Sequence, residues 1–261
     1  MARTFLLTLQ FDGTGFVGWQ RQAKGRSVQG EVERVLERLA GHRVVAHAAG
    51  RTDAGVHALG MGVSCTMPAR WTSATLRRAL NALLPEACWV VRGDEMRPGF
   101  HARKAALDRA YRYDVGTDEA AASPFRRHWE WALARPLDGL LLGAGAERLA
   151  GEHDFSAFAA KGEPKPHHRC RISLARWSER PDGRGWRFEV AADRFLHHMV
   201  RMLVGTMVDA GLGRRPVEDI GRLLAARDNQ DTSPPAPPQG LWFVAARYRP
   251  EDHLAPDPGA A

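Results

Sequence analysis

Only three cysteines, Cys65, Cys88 and Cys170, occur among the 261 residues. They are odd in number and far apart, and no C-x-x-C pair is present. Neither a disulfide framework nor a thiolate metal site is supported. His167-His168-Arg169-Cys170 has no carboxylate or thiol at ligand spacing and reads as surface loop. Long apolar runs are missing too: nothing approaches the roughly 20 residues that a membrane helix needs. The stretch from Met1 to Leu9 passes from one charge straight into an alternating strand, without the apolar core and cleavage site of a secretory leader. The expected compartment is the cytoplasm.

What is present is apolar residues at 44%, enough for a real core, and an excess of positive charge. The formal net charge is +7 and the sequence pI is near 9.9. This favours a polyanionic partner, of which nucleic acid is the commonest, without establishing one.

Periodicity divides the chain into two similar runs. Thr4–Phe11 alternates as a strand. Val28, Val32, Val35, Leu36 and Leu39 mark a helix, with Ser27 as N-cap and Gly41 as stop. Strands follow over 43–48 and 60–67, then a helix capped by Ser73 and running to Leu84, with Leu76, Leu80, Leu83 and Leu84 inward, then a strand over 88–92. That order, β-α-β-β-α-β, is the ferredoxin-like split βαβ pattern. The second run gives strands over 111–115 and 129–133, a helix over 137–150, and strands over 172–177 and 186–192 joined at Pro181-Asp182-Gly183. Helices over 195–210 and 217–226 and a strand over 241–248 complete it. Stretches 162–168 and 228–240 read as loops, and the chain after Pro250 is expected to fray. The expected fold is α+β: two ferredoxin-like halves, 1–104 and 105–249, with antiparallel sheets meeting at a central basic active-site cleft, and a flexible tail over 250–261.

The stretch from Gly50 to Ala58, GRTDAGVHA, concentrates the candidate chemistry. A β-branched segment ends at Gly50, and Asp53-Ala54-Gly55 has tight-loop composition, so a carboxylate is presented at a strand end two residues after Arg51. An arginine within about 4–6 Å holds a carboxylate ionised, as base or nucleophilic catalysis requires. The residues alone equally allow an Asx-turn beside an ordinary ion pair. Upstream, Gly13, Gly15 and Gly18 satisfy G-x-G-x-x-G after a strand. A dinucleotide loop must open directly into a helix, however, and Trp19–Arg26 has no apolar helical period. The loop is read instead as bringing Trp19, Gln20 and Arg21 close to a ligand.

Tyr111 and Tyr113, spaced i, i+2, share one strand face that suits stacking against a base; core packing is the simpler account of Tyr113. In Phe195–Gly205, His197 and Arg201 fall i, i+4 on one helix edge, about 40° apart. Basic groups at Arg21, Lys24 and Arg26, at Arg77 and Arg78, at Arg126 and Arg127, and at Arg214 and Arg215 would together make a phosphate track.

GRTDAGVHA resembles the signature of the tRNA pseudouridine synthase A family. Four further segments match it in order: Asp12-Gly13 followed by Gly18-Trp19-Gln20, Phe100–Arg103, His153–Phe158, and Phe195–Gly205. Lys104 and Met61 depart from it, standing where relatives usually carry an aromatic and a glutamine. The resemblance implies that Asp53 is the catalytic residue, that Tyr111 packs against the target uracil, and that Arg201 pairs with the aspartate. Arg51 would help hold that carboxylate ionised, and His57 and His197 join the candidate substrate contacts. It also implies a homodimer acting on positions 38, 39 and 40 of the tRNA anticodon arm, with no metal, nucleotide or redox cofactor. A non-catalytic RNA-binding module is the competing reading, but its aromatic R-G-F-x-F-type strand is missing.

Overall fold

The computed structural model describes residues 2–160 and 167–254. Most of the loop expected over 162–168, and the tail beyond Leu254, lie outside them. The chain forms two compact units. Residues 1–109 and the chain from Phe243 onward make the first, and Ala110–Trp242 make the second. The final strand therefore belongs mainly with the first unit, whereas the sequence suggested one half following the other.

The first unit runs β1 (Ala2–Phe11), α1 (Val28–Ala40), β2 (His47–Ala48), β3 (His57–Pro68), α2 (Ser73–Leu83), β4 (Cys88–Met96) and the short α3 (Ala102–Ala105). The sheet order is β4-β1-β3, with β2 outside β3, and β1 is antiparallel to both neighbours. This is the expected split βαβ arrangement. Because β1 is central, Thr4, Phe5, Leu6 and Leu7 are buried in succession, on both faces. On one face Leu6, Met96 and Ala102 form a small apolar cluster with Phe100 and Tyr248 packed against it.

Local signals account for α1: the Ser27 hydroxyl accepts from Gly30 N at 3.2 Å, and Gly41 closes the helix at φ 80°. The start of α2 differs by one residue. Thr72, not Ser73, is the cap, because Thr75 reaches back to Thr72 N and completes a capping box. Strand β2 is shorter than its β-branched sequence suggests. The Glu33 carboxylate takes Ala46 N at 3.1 Å and Gln29 donates to Ala46 O at 3.3 Å, so helix side chains claim backbone groups that a strand would use. Residues 250–254, expected to fray, are held. His253 bridges Met96, Leu254 N donates to Glu95 O at 2.9 Å, and buried Asp252 pairs with Arg97.

The second unit contains most of β5 (Asp108–Gly116), then β6 (Trp131–Ala132), α4 (Gly139–Glu147), β7 (Gly151–Asp154), β8 (Arg169–Glu179), β9 (Gly185–Ala192), α5 (Met199–Gly211), α6 (Asp219–Ala226) and the start of β10 (Leu241–Arg247). Its strand order is β5-β9-β8-β7, with β6 parallel to β5. Strand β7, sequence GEHD, carries no apolar alternation and is not legible from pattern. Helix α5 begins four residues later than its periodicity suggests, because His198 adopts a left-handed conformation at φ 62°. Leu142, Ala146, Leu203, Met207, Ile220 and Phe188 belong to the buried core of this unit. No helix among the described residues is long and apolar enough to cross a membrane.

Candidate active site

The signature loop joins β2 to β3 and is clamped against the glycine-rich loop after β1. Trp19 N donates to Thr52 O at 3.0 Å, and Gly13 N donates to His57 Nδ1 at 3.1 Å. A Cβ at Gly13 would lie 2.1 Å from Val56 O. At Gly18, with φ 103°, it would lie 2.5 Å from Thr52 O. The glycines therefore let two backbones meet. No helix opens until Val28, which removes the dinucleotide reading. Val56 N closes the turn onto Asp53 O at 3.2 Å, and the side chain of Asp53 is half-buried beside buried Thr52. The carboxylate is thus set on a short backbone turn fixed from behind.

Three expectations change at this loop. Arg51 is exposed and makes no ion pair among the described residues, so the expected Arg51–Asp53 pair is not formed. Trp19 is 3% exposed and packs near Phe11, and His57 is fully buried, its Nδ1 3.2 Å from Asp12 Oδ1. Both side chains face the interior and support the loop. Gln20 and Arg21 remain at the surface, Arg21 paired with Glu33 at 3.0 Å.

In the second unit Tyr111 is largely buried, with Phe195 edge-on to it at 4.9 Å and 80°. Sequence reasoning placed Phe195 in a helix and missed this contact, which follows only from the later start of α5. Tyr113 is wholly buried and donates its hydroxyl to Pro237 O at 2.6 Å; burial pushes its phenol above the usual range. His197 lies in the turn before α5, its ring 3.9 Å from that of His198. The expected helical spacing of His197 and Arg201 therefore does not apply. Arg201, in the first turn of α5, donates Nε to Ala236 O at 2.7 Å.

The basic groups separate into two kinds. Arg215 is tied to Asp231 O, Ser233 Oγ and Asp219, and Arg126 lies between Asp118 and buried Glu130. These two are structural cations. Arg214 is half-exposed against Asp209, while the side chains of Lys24, Arg77, Arg78 and Arg127 have no hydrogen bond or ion pair among the described residues. They are the charges left to meet an anion.

Split βαβ architecture, a loop-borne carboxylate and a surplus of surface cations define a class: an α+β protein suited to a polyanionic partner, in which no glycine-rich loop among the described residues opens directly into a helix. Comparison with known proteins narrows it. The profile described as tRNA pseudouridine synthase matches residues 8–98 and 146–249. The tRNA pseudouridine synthase A of Thermus thermophilus is 42% identical over 259 residues, covering 97% of this chain and 100% of that protein. That of Moorella thermoacetica is 40% identical over 244 residues, 93% and 98% of the two chains. The Myxococcus xanthus protein of the same name is 40% identical over 243 residues, 93% and 91% of the two. The chain belongs to the tRNA pseudouridine synthase A family and is an isomerase of that kind.

Proposed function

We propose that this enzyme converts uridine to pseudouridine in the anticodon stem–loop of tRNA, at positions 38, 39 and 40, with Asp53 as the catalytic carboxylate. The observation that carries the reading is the clamped signature loop, where Gly13 and Gly18 admit the backbone of residues 52–56 and fix the turn that bears Asp53. In the reaction the bond from the ribose C1′ to N1 breaks and one from C1′ to C5 forms. A proton leaves C5 and one is gained at N1, so the change is internal to the nucleotide and redox-neutral. It asks for no metal, nucleotide or redox cofactor.

Asp53 acts as nucleophile or as charge stabiliser. The family resemblance gives Arg201 the part of its cation and Tyr111 the part of stacking on the uracil. Withdrawing the base from its stack costs a few kcal/mol, which contacts to the phosphates offset. Exposed Arg214, Lys24, Arg78 and Arg127, and half-buried Arg77, supply charge for them. The working species in this reading is a cytoplasmic homodimer. Incubating the protein with an unmodified anticodon-arm transcript and mapping pseudouridine tests it. Product at these positions is expected from the natural chain and none from Asp53→Asn; modification elsewhere only would overturn the site assignment.

A further inference from the structure

We infer that the stacked imidazoles of His47 and His101, with Arg103 and Lys104 beside them, form a phosphate site in the first unit that engages the RNA backbone and tightens as pH falls. It rests on the proposal that the polyanion is tRNA. His47 sits on β2, outermost beyond β3, and His101 caps the short α3. Their ring centroids are 4.3 Å apart at 26°. The arrangement is built rather than incidental. His101 Nδ1 accepts from Arg103 N at 3.2 Å, and Ala102 N donates to Ser64 Oγ at 2.9 Å, on β3. Arg109 spans the base of the site, donating to Ala49 O and Ala106 O at 3.1 Å each and to Arg103 O.

The charges around the pair are of one sign. Burial first, then His47 and Lys104, hold the His101 imidazole below its ordinary pKa; a backbone hydrogen bond at His101 opposes them, and Arg103 adds to the lowering. Asp108, at the start of β5, is taken up by Arg247 at 2.8 Å. His47, Arg103 and Lys104 are exposed and His101 is half-buried. With Nδ1 of His101 accepting a backbone proton, its neutral ring carries hydrogen on Nε2, a donor. A metal ion does not suit this place, because Nδ1 is occupied and the flanking side chains are cations. An anion does, and a phosphate bridging the rings would relieve their mutual repulsion. A ring whose pKa rises on binding adds affinity below its free pKa and loses it as pH rises through the bound value. A rise of about one unit corresponds to about tenfold in affinity.

The test is the affinity of labelled, unmodified tRNA between pH 5.5 and 8.0 at fixed ionic strength. It uses the natural chain, His47→Gln, and His101→Asn, which keeps a capping side chain. The natural chain should gain about tenfold at the acid end. His47→Gln should lose most of that gain, while keeping its melting temperature, its affinity at pH 8.0 and its rate at saturating tRNA. Lys104→Gln, on an exposed position, should lower affinity and the salt slope without touching the fold. Inorganic phosphate should shift the His47 C2–H resonance, and tRNA should displace it. An unaltered pH response in His47→Gln, or phosphate that tRNA does not displace, overturns the inference. Failure of the natural chain to form pseudouridine would remove the catalytic proposal, while pH-dependent tRNA binding lost in His47→Gln would still stand.

Discussion

Arg201 and Ala236 hold each other twice: Arg201 Nε donates to the Ala236 carbonyl at 2.7 Å, and Ala236 N returns a bond to the Arg201 carbonyl at 2.9 Å. One residue on, Pro237 O receives the Tyr113 hydroxyl. A proline-rich segment is thereby strapped across the first turn of α5, and it sets the direction of the Arg201 guanidinium. Tyr113→Phe removes the donor of a part-buried hydrogen bond, a loss of about 0.5–1.5 kcal/mol. If Arg201 serves the reaction, the single-turnover rate should fall more than tRNA affinity. A Phe variant with natural stability and natural rate would refute the strap.

Asp53 is the only carboxylate in the signature loop. Asp53→Asn should abolish turnover and leave tRNA affinity within about tenfold, roughly 1.4 kcal/mol. Near-normal rates in the Asn variant would move the chemistry elsewhere.

Tyr111 separates stacking from proton movement. Tyr111→Phe keeps the ring against Phe195 and drops the hydroxyl. It should fold, bind tRNA normally and lose most turnover. Tyr111→Ala should also weaken productive binding, since stacking is worth about 1–3 kcal/mol per base. Melting temperature, affinity and single-turnover rate decide the matter. A fully active Phe variant beside a merely unstable Ala variant makes Tyr111 a core residue.

The two adjacent arginines after α5 should behave differently. Arg215→Ala breaks three contacts to α6 and the segment 231–233, so thermal stability should drop. Arg214→Ala should leave stability nearly unchanged and make the logarithmic salt dependence of tRNA binding shallower by about 0.7–0.9. Equal melting temperatures for the two would contradict the division into structural and surface cations.

Gly18→Ala tests the clamp. Positive φ costs an alanine on the order of 1–3 kcal/mol, and its methyl would meet Thr52 O. Stability and turnover should fall together, while Gly15→Ala, whose Cβ meets nothing within 4 Å, should change neither. Turnover that survives in Gly18→Ala would show that the clamp does not set Asp53.

What the sequence discloses depends on how local each determinant is. Ser27 and Gly41 end α1 by contacts within a few residues, and both are readable. The shortening of β2 is not, because Glu33 and Gln29 reach Ala46 from a different element. Nor is the left-handed His198, which delays α5 and places His197 outside the helix. At the candidate site, Asp53 was readable by resemblance, since a turn aspartate has many ordinary uses. The Arg51 pair rested on spacing alone and is not formed. The burial of Trp19 and His57 is not legible either, because the elements that cover them are distant in sequence.

The second unit is inserted within the first. Strand β10 lies beside β3, and residues 250–254 close against β4 and its end. On the ribosome, residues 1–109 are complete long before this closing segment exists. At roughly 5–20 residues per second the interval is on the order of ten seconds or more. During it the nascent sheet presents the side of β3 that β10 will take as an unsatisfied edge, open to wrong pairing. The last strand thus acts as a latch set only when translation finishes, and chains truncated before Phe243 should aggregate.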